Sequence, residues 1–574
     1  MKYVLLIIGL YLFIIGGVVN SYALTIPQPL EKDDFDRYKK IFDLQQKGYF
    51  NKADLLIKQL NNNILIGSVL SQRYLHPTGY ISKFSELKSW LDKYADHPSA
   101  SRIYWLSQRK KPNSYKNAIK PQGGFLSGFG GTSSKILRPP IPISFKGRSA
   151  PSITKKIANS VRKNIRRGWP SGSKEVLNSK NALKYLTKME KAQLHWEIGN
   201  AYFIFNKDLE AINESAKAII LSDGLHSNAW FTAGISSWRR GDLLRAKIFF
   251  ENLAKLKSAD SHTRASGAFW ASRVAIREGD YNKALSMLKI AAYEENSFYG
   301  QLALASLGLE NNLNFDLPHI SNEFILFLKN HSSGKRVFAF LQLDLHWYAD
   351  RELRRMFSEV PEKFHLDLMS FCAIHNLPSI AFRIADIERK KTNVNWYGAL
   401  YPDLENSDNF FDGKDKALIH SMIRQESRFD QRGKSYAKAL GLMQVIPSTA
   451  VFVTGNRGYL GKLKHDLFLK NTNMNIGNNY ISMLLKEKTV NYNIVYLLTA
   501  YNGGPGNLNK WKKQLNYNED YLLFIETIPS RETRGYIKAV IKNLYIYRSK
   551  YNQNQSETDI LASGFNPLYH YKTN

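Results

Sequence analysis

The sequence predicts an all-α protein in which a long array of short helices precedes a compact, mainly helical C-terminal domain. Three observations predict this class. Apolar residues recur at spacings of three and four, tryptophans and turn motifs recur at intervals near 40 residues, and a polar break precedes the last part of the chain. We expect the array to form a superhelix or ring from about residue 24 to 400, interrupted by a basic insertion.

The first 23 residues predict a secretory signal. Lys2 supplies a positive charge ahead of an apolar run from Val4 to Val19, and Ser21 and Ala23 are the small residues that signal peptidase needs. The run is shorter than the roughly 20 apolar residues that span a bilayer. We therefore expect cleavage after Ala23, with an uncleaved membrane anchor as the alternative, and a mature protein outside the cytoplasm.

Charge and cysteine content restrict the partners and the source of stability. The net charge of +31 favours anionic partners such as a cell-envelope surface or carboxylate-bearing wall polymers, although solvated lysines are an equal alternative. Export disfavours nucleic acid, and no nucleic-acid-binding module is recognisable. Cys372 is the only cysteine, which excludes an internal disulfide.

The first helical segment covers residues 24–112, where Ala53, Leu56, Ile57 and Leu60 show the helical spacing. Residues 113–172 form a basic Gly/Pro/Ser-rich stretch without Asp or Glu, which predicts a long exposed insertion. Two hypotheses remain for its cationic cluster: binding of an anionic polymer or membrane surface, or a solvated basic helix. The cluster consists of Arg162, Lys163, Arg166 and Arg167.

Residues 173–400 predict a second helical segment with internal repeats. A similar turn motif occurs twice, as Arg240-Gly241-Asp242 and 38 residues later as Glu278-Gly279-Asp280. Two tryptophans, Trp230 and Trp270, lie 40 residues apart. Each of these turn motifs should end one helix and start the next, as in helix-turn-helix solenoids. We interpret the tryptophans as packing residues rather than sugar platforms.

The polar stretch from Lys391 to Asp412 separates this array from a final domain of about 140 residues. There, a helix predicted from Asp415 to Phe429 carries an apolar stripe that Glu426 continues, three residues after Ile423. A carboxyl group on an apolar face is partly desolvated, which should raise its pKa toward that of a general acid. A structural glutamate at the helix end is the alternative.

Further polar residues follow at turns and helix ends of the same domain. Gln444 follows Gly441 in a loop before a helix start at Pro447, and Tyr501-Asn502 precedes a glycine-rich turn. Glu532 and Tyr536 lie four residues apart on one face of the last helix, where a structural salt bridge of Glu532 is the alternative.

Taken together, these motifs resemble, in order and spacing, the motif series of the soluble lytic transglycosylases. Two positions depart from the family pattern: Gly503 replaces the usual alanine, and Val445-Ile446 replaces a frequent Ile-Met pair. The motifs are Arg424-Gln425-Glu426-Ser427, Gly441-Leu442-Met443-Gln444 with Pro447, Ala500-Tyr501-Asn502-Gly503-Gly504-Pro505-Gly506, and Glu532-Thr533-Arg534-Gly535-Tyr536.

The resemblance implies a superhelical N-terminal region, a lysozyme-like catalytic domain at 410–551 and a tail at 552–574. It implies a periplasmic enzyme that cleaves the MurNAc–GlcNAc β-1,4 bond of peptidoglycan glycan strands and forms 1,6-anhydro ends. Glu426 would be the catalytic acid and base. The substrate-binding residues implied in the same way are Ser435, Gln444, Tyr501, Asn502, Glu532 and Tyr536.

No cofactor or metal is expected, because the chain lacks His-Glu-x-x-His and paired-cysteine motifs. Six residues before Glu426, His420 is interpreted as structural. Two alternative functions remain open at this stage: a muramidase that hydrolyses the same bond, and a non-catalytic peptidoglycan-binding scaffold.

Overall fold

A computed structural model describes residues 26–128, 151–311, 313–405 and 410–569 of the 574-residue chain. Within these ranges every regular element is helical, which confirms the predicted all-α class. The β-type pairs found there are isolated bridges at Lys434–Leu440, Leu440–Val445 and Asn493–Leu568. The predicted signal at residues 1–23 lies outside the described ranges, and no helix inside them is long and apolar enough to cross a membrane.

The helices group into two compact units, and the first comprises residues 26–127 and 319–380. Leu30 and Gln342 join its two stretches by a reciprocal pair of hydrogen bonds at 3.0 and 2.8 Å. Trp90 is almost fully buried in its core. Its helices are α1 Lys32–Gln46, α2 Phe50–Ile57, α3 Ile66–Tyr74, α4 Phe84–Tyr94, α5 Ala100–Lys110, α16 Asn322–Asn330, α17 Ser332–Gln342, α18 His346–Met356 and α19 His365–Ile374.

The second unit comprises the described residues between 128 and 318 and between 381 and 569, and it contains the motif-bearing domain. In its first stretch, consecutive helices pack against each other. These helices are α6 Pro151–Arg166, α7 Pro170–Leu177, α8 Lys180–Tyr185, α9 Lys188–Ile204, α10 Asp208–Leu221, α11 Ser227–Arg239, α12 Leu243–Lys255, α13 Ser261–Glu278, α14 Tyr281–Ala292 and α15 Phe298–Ser306.

The repeated turn motifs lie where the sequence predicts them. Gly279 directly follows the end of one helix and Gly241 follows another after one residue. Both adopt positive φ angles, 76° and 74°, the backbone conformation that glycine accepts without strain. Asp242 and Asp280 then cap the next helices by accepting hydrogen bonds from backbone amides. Trp270 is fully buried, which agrees with its interpretation as a packing residue.

The second part of the predicted insertion, residues 151–172, is not an exposed irregular stretch. Helix α6 buries Ile157, Ala158 and Val161, and Arg162 forms a two-point ion pair with Glu197 at 2.8 Å. The many basic residues suggested an exposed stretch, but the apolar residues between them lie at helical spacing and form one buried face of the helix. Of the cationic cluster, Lys163, Arg166 and Arg167 are exposed.

The motif-bearing domain occupies the second stretch of this unit. Residues 552–569 are folded onto it, since Tyr569 donates a hydrogen bond to Asp415 at 2.7 Å. The α-helices from residue 378 onward are α20 Pro378–Thr392, which begins in the last residues of the first unit, α21 Tyr397–Leu400, α22 Lys416–Glu426, α23 Pro447–Thr454, α24 Lys470–Lys486, α25 Ile494–Gly503, α26 Pro505–Gln514, α27 Tyr521–Thr527, α28 Arg531–Lys550 and α29 Ser556–Ala562.

Candidate active site

Glu426 is the last residue of α22 and is partly exposed, whereas Met422 and Ile423 before it are buried. The pKa of its carboxyl is raised to about 8, first by desolvation in the surrounding protein and also by the nearby negative charge of Glu532. A contact with the Tyr536 hydroxyl acts in the opposite direction. The carboxyl is therefore largely protonated at neutral pH, as a general acid must be.

Helix α22 is fixed at both ends by groups from distant parts of the domain. Asp415 caps its first turn and accepts hydrogen bonds from Arg548 and Tyr569 at 2.9 and 2.7 Å. Arg424, in its last turn, donates to the Leu400 carbonyl at 2.8 Å. These contacts hold the last turn, and with it Glu426, in one orientation.

In the middle of the same helix, His420 is fully buried and hydrogen-bonded through both ring nitrogens. One nitrogen lies 2.8 Å from the Lys416 carbonyl oxygen and the other accepts from the Leu404 amide at 2.8 Å. Burial lowers the pKa of the imidazole to about 4. With no ring nitrogen left for a substrate, His420 has the structural role that the sequence analysis proposed.

The loop after α22 is held by its own polar side chains. Ser435 accepts a hydrogen bond from the Ala439 amide at 3.0 Å, and Gln444 donates through Nε2 to the Gly433 and Gly441 carbonyls at 3.2 and 2.8 Å. Gly441 is required, because a Cβ atom there would collide with the Leu467 carbonyl oxygen. The Gln444 amide nitrogen thus fastens the loop, and its Oε1 is the atom that remains for a ligand.

Two tyrosines from different helices stand beside Glu426. Tyr501 donates to the Met443 carbonyl at 2.9 Å, and its ring lies parallel to that of Tyr536 with centroids 6.5 Å apart. Burial raises the pKa of both phenols well above the usual value, and the charge of Glu426 adds to this effect. The Tyr536 hydroxyl is buried without a well-formed hydrogen bond among the described residues, so it is available for a reacting group.

Asn502 and Glu532 differ in their surroundings. Asn502 accepts a hydrogen bond from the Thr533 hydroxyl at 2.8 Å, which ties the end of α25 to the first turn of α28. Glu532 is exposed in that first turn and influences Glu426 through its charge. Gly503 packs against the Trp511 ring. A Cβ atom at this position would lie 3.1 Å from the nearest ring carbon. The tryptophan therefore leaves little room for the alanine that is usual in the family.

The structure adds two residues that the sequence analysis did not single out. Tyr480 packs against Tyr501 with ring centroids 5.5 Å apart. Asn473 is buried and binds the Met443 amide and the Leu440 and Leu467 carbonyls, which shapes the loop before Gln444. Both lie on α24, which carries none of the recognised motifs, so no sequence signal pointed to them.

Other features of the domain do not belong to this site. A cleft of about 320 Å³ lies at the other end of α22, lined in part by Lys414, Asp415 and Tyr569. In the portion of the chain that the structure describes, no group of three or more His, Cys, Asp or Glu side chains is arranged to hold a metal ion.

Comparison with known proteins matches the part of the chain that contains Glu426 to a known domain. Residues 410–524 match the family model of the transglycosylase SLT domain. Over 149 residues the chain is 34% identical to the soluble lytic murein transglycosylase of Salmonella typhimurium, covering 25% of this chain and 22% of that protein. A membrane-bound lytic murein transglycosylase C of Cronobacter sakazakii is 30% identical over 164 residues, with 24% of this chain and 43% of that protein covered.

The matched sequence thus spans less than half of the length of these curated relatives, whereas the similarity in fold is more extensive. An inactive mutant of the lytic transglycosylase Slt from Pseudomonas aeruginosa aligns with a TM-score of 0.56 at 19% identity, over 91% of this chain and 87% of its own. The 70 kDa soluble lytic transglycosylase from Escherichia coli aligns with a TM-score of 0.52 at 15% identity, over 94% and 99%. Residues 410–524 thus form a transglycosylase SLT domain, and the chain shares the fold of these two lytic transglycosylases.

Proposed function

We propose that this protein cleaves the MurNAc–GlcNAc β-1,4 bond of peptidoglycan and leaves a 1,6-anhydro ring on the muramoyl residue. The observation that carries the proposal is the environment of Glu426: a partly exposed carboxyl with a pKa of about 8, beside two tyrosines at a helix end. A carboxyl with this pKa serves as an acid near neutral pH and, once ionised, as an effective base.

In the first step, protonated Glu426 donates its proton to the glycosidic oxygen as the bond from that oxygen to the anomeric carbon breaks. The N-acetyl oxygen of the same muramoyl residue attacks the anomeric carbon and stabilises the developing positive charge. An enzyme carboxylate is therefore unnecessary as nucleophile, in contrast to glycosidases that use two carboxyl groups.

In the second step, ionised Glu426 removes the proton of the 6-hydroxyl group while that oxygen attacks the anomeric carbon and displaces the N-acetyl oxygen. The 1,6-anhydro ring closes, and Glu426 regains its proton. The reaction consumes no water. The attack by the 6-hydroxyl oxygen is favoured because this nucleophile belongs to the same sugar as the anomeric carbon.

The remaining site residues have supporting roles in this proposal. The hydroxyl of Tyr536 contacts the Glu426 carboxyl and is positioned to donate to it when it is ionised. Tyr501 and Asn502 shape the cleft wall through their contacts with Met443 and Thr533. Ser435 and the Gln444 Oε1 offer polar contacts to sugar hydroxyls, and Glu532 adjusts the pKa of Glu426 through its charge.

The setting of the enzyme follows from its sequence. A cleaved signal over residues 1–23 would deliver it to the periplasm, or leave it membrane-anchored if uncleaved, and the net charge of +31 favours contact with an anionic envelope surface. Within this proposal, residues 410–551 are the catalytic domain, and the preceding helices hold or exclude long glycan strands.

The proposal is tested by mass spectrometry of muropeptides released from purified peptidoglycan, with Glu426→Gln as the matched variant. Products one water lighter than those of a muramidase, and absent with the variant, are the expected result. Hydrated reducing ends would instead establish a muramidase. Binding without release by the unmodified protein would indicate a peptidoglycan-binding scaffold.

A further inference from the structure

Helix α27 is held at its start by the helical array that precedes the motif-bearing domain. Asp520, its N-cap residue, accepts hydrogen bonds from the Trp238 indole at 3.1 Å and from the Arg273 guanidinium at 2.9 Å. Its other carboxylate oxygen accepts from the Leu522 and Leu523 amides, both at 3.1 Å. One buried carboxylate thus joins the first turn of α27 to α11 and α13.

The Arg273 side chain is itself held in place by two aromatic rings. Its guanidinium lies 4.8 Å from the centre of the Trp238 ring and 4.7 Å from that of the Trp270 ring. A cation against aromatic faces is attracted by their negative charge, which favours one position of the side chain. The ion pair with Asp520 is therefore a fixed joint between the array and α27.

The other end of α27 is held through Glu526, the next-to-last residue of the helix. Glu526 is buried, and it accepts a hydrogen bond from the Tyr299 hydroxyl of α15. The Lys538 ammonium of α28 lies 2.5 Å from a carboxylate oxygen of Glu526. This carboxylate therefore joins three helices: α15 of the array, α27 and α28.

The direction of these hydrogen bonds is determined by the groups that form them. The Trp270 indole, which can only donate, donates to the Tyr299 oxygen at 3.0 Å. The Tyr299 hydroxyl is thus left to donate its own proton to Glu526. Burial and the charge of Glu526 raise the pKa of this phenol well above its usual value, so it keeps the proton and remains a donor at working pH.

Helix α28 connects this joint to the candidate active site. Lys538 and Tyr536 are two residues apart, so their side chains leave the helix in directions about 200° apart. Lys538 accordingly faces Glu526. Tyr536 faces the other way, where its ring lies parallel to that of Tyr501 and its hydroxyl contacts the Glu426 carboxyl. A movement of α28 against α27 would therefore move this hydroxyl relative to the carboxyl.

We propose that Tyr299 of the helical array is a positioning residue for the reaction at Glu426. It acts through Glu526 and Lys538, which hold α28, and thereby sets the place of the Tyr536 hydroxyl. The inference rests on the proposed function, and it gives the array a role in the chemical step beside its contact with glycan strands. The observation that carries it is the unbroken series of hydrogen bonds and one ion pair from α13 to α28.

Tyr299→Phe is the mildest way to break this link. It removes one hydroxyl and keeps the ring and the Lys538–Glu526 ion pair, whereas removing the carboxylate would leave a cation without its partner. Tyr397→Phe is the matched control. Tyr397 is as buried as Tyr299, and its hydroxyl donates to Asn296 of the array at 2.7 Å, but it joins the array to α21 and not to α28. The two melting temperatures should therefore fall by similar amounts.

The variants are assayed for product release from purified peptidoglycan across pH, per folded molecule and well below their melting temperatures. Tyr299→Phe should lower kcat by roughly three-fold with KM unchanged and move the alkaline limb of the pH–rate profile to higher pH, as Tyr536→Phe does. Lys538→Gln, which weakens the same link from α28 with a shorter, uncharged side chain, should show the same pattern. Tyr397→Phe should match the unmodified protein in kcat, KM and pH profile.

The decisive comparison adds Tyr299→Phe to a protein that already carries Tyr536→Phe. If Tyr299 acts through the Tyr536 hydroxyl, the added substitution should change neither kcat nor the pH profile further. Losses that multiply in the double variant would overturn the inference and leave the proposed function standing. The same holds if Tyr299→Phe and Lys538→Gln behave like Tyr397→Phe. Absence of product from the unmodified protein would instead overturn the proposed function, so the two failures are distinguishable.

Discussion

Two of the ionisable residues of helix α22, His420 and Glu426, lie six residues apart, and desolvation moves both toward their neutral forms. It lowers the pKa of His420 to about 4 and raises that of Glu426 to about 8. The two differ in what surrounds them. Both nitrogens of His420 have backbone partners, whereas Glu426 is partly exposed and faces a tyrosine hydroxyl without a well-formed hydrogen bond.

This difference teaches that a perturbed pKa does not by itself identify a catalytic group. Burial shifts the pKa at both positions by the same physical effect. What distinguishes Glu426 is unused hydrogen-bonding capacity in a place that a substrate can reach. Satisfied hydrogen bonds make His420 part of the core, and unsatisfied ones make Glu426 a candidate for chemistry.

Glu426→Gln should have the largest effect on activity. Glutamine keeps the size of the side chain but can neither donate a proton to the glycosidic oxygen nor accept one from the 6-hydroxyl. Product release should fall by about 10²–10⁴-fold, the contribution expected of general acid–base catalysis. Release within ten-fold of the unmodified protein would show that Glu426 is not the catalytic group.

The same variant should be more stable than the unmodified protein at alkaline pH. A carboxyl whose pKa is raised in the folded state binds an extra proton there, so its free energy of unfolding falls as pH rises from about 4.5 through about 8. Glutamine removes this dependence. Melting temperatures should therefore coincide near pH 4 and diverge by a few degrees at pH 8 and above, and parallel curves would contradict the raised pKa.

His420→Ala should show the reverse pattern, with a loss of stability and little change in chemistry. It removes both hydrogen bonds of a fully buried ring and leaves a cavity beside Phe411. Such losses cost about 2–4 kcal/mol. Urea unfolding measures this cost, and kcat per folded molecule, assayed well below the melting temperature, should stay within a few-fold. A thousand-fold drop in kcat would instead assign His420 to catalysis.

Tyr536→Phe should have a smaller effect, because the hydroxyl it removes has no well-formed hydrogen bond in the free protein. Stability should be nearly unchanged, whereas the contact that lowers the pKa of Glu426 is lost. The alkaline limb of the pH–rate profile should move to higher pH, with kcat reduced several-fold. A downward shift would contradict this geometry.

Glu532→Gln should produce the smallest effect, in the opposite direction. The charge of Glu532 raises the pKa of Glu426, so its neutralisation should move the alkaline limb to lower pH by a few tenths of a unit. The pH–rate profile at low ionic strength measures this shift. Added salt should reduce it, and an unchanged profile at low salt would remove Glu532 from the electrostatics of the site.

Much of the site could be predicted from local patterns, but the direction of its side chains could not. The motif around Gln444 predicted a polar loop beside the site, yet the amide nitrogen turns inward to two backbone carbonyls. The basic composition of residues 113–172 predicted an exposed insertion. In the structure, helix α6 within this stretch buries Ile157 and Val161 and packs with the other helices. In both cases packing partners distant in sequence determine the outcome.

The sequence by itself determined the helical class, the turns at Gly241 and Gly279, and the position of Glu426 on an apolar stripe, because each depends on spacing within a few residues. Only the tertiary structure decided that Tyr501, Tyr536 and Glu532 come close to this carboxyl. Desolvation and the charge of Glu532 raise its pKa, to about 8, while the contact with Tyr536 acts against that rise. Desolvation and charge arise from groups about 75 to 110 residues away along the chain, so they exist only once α22, α25 and α28 are packed together.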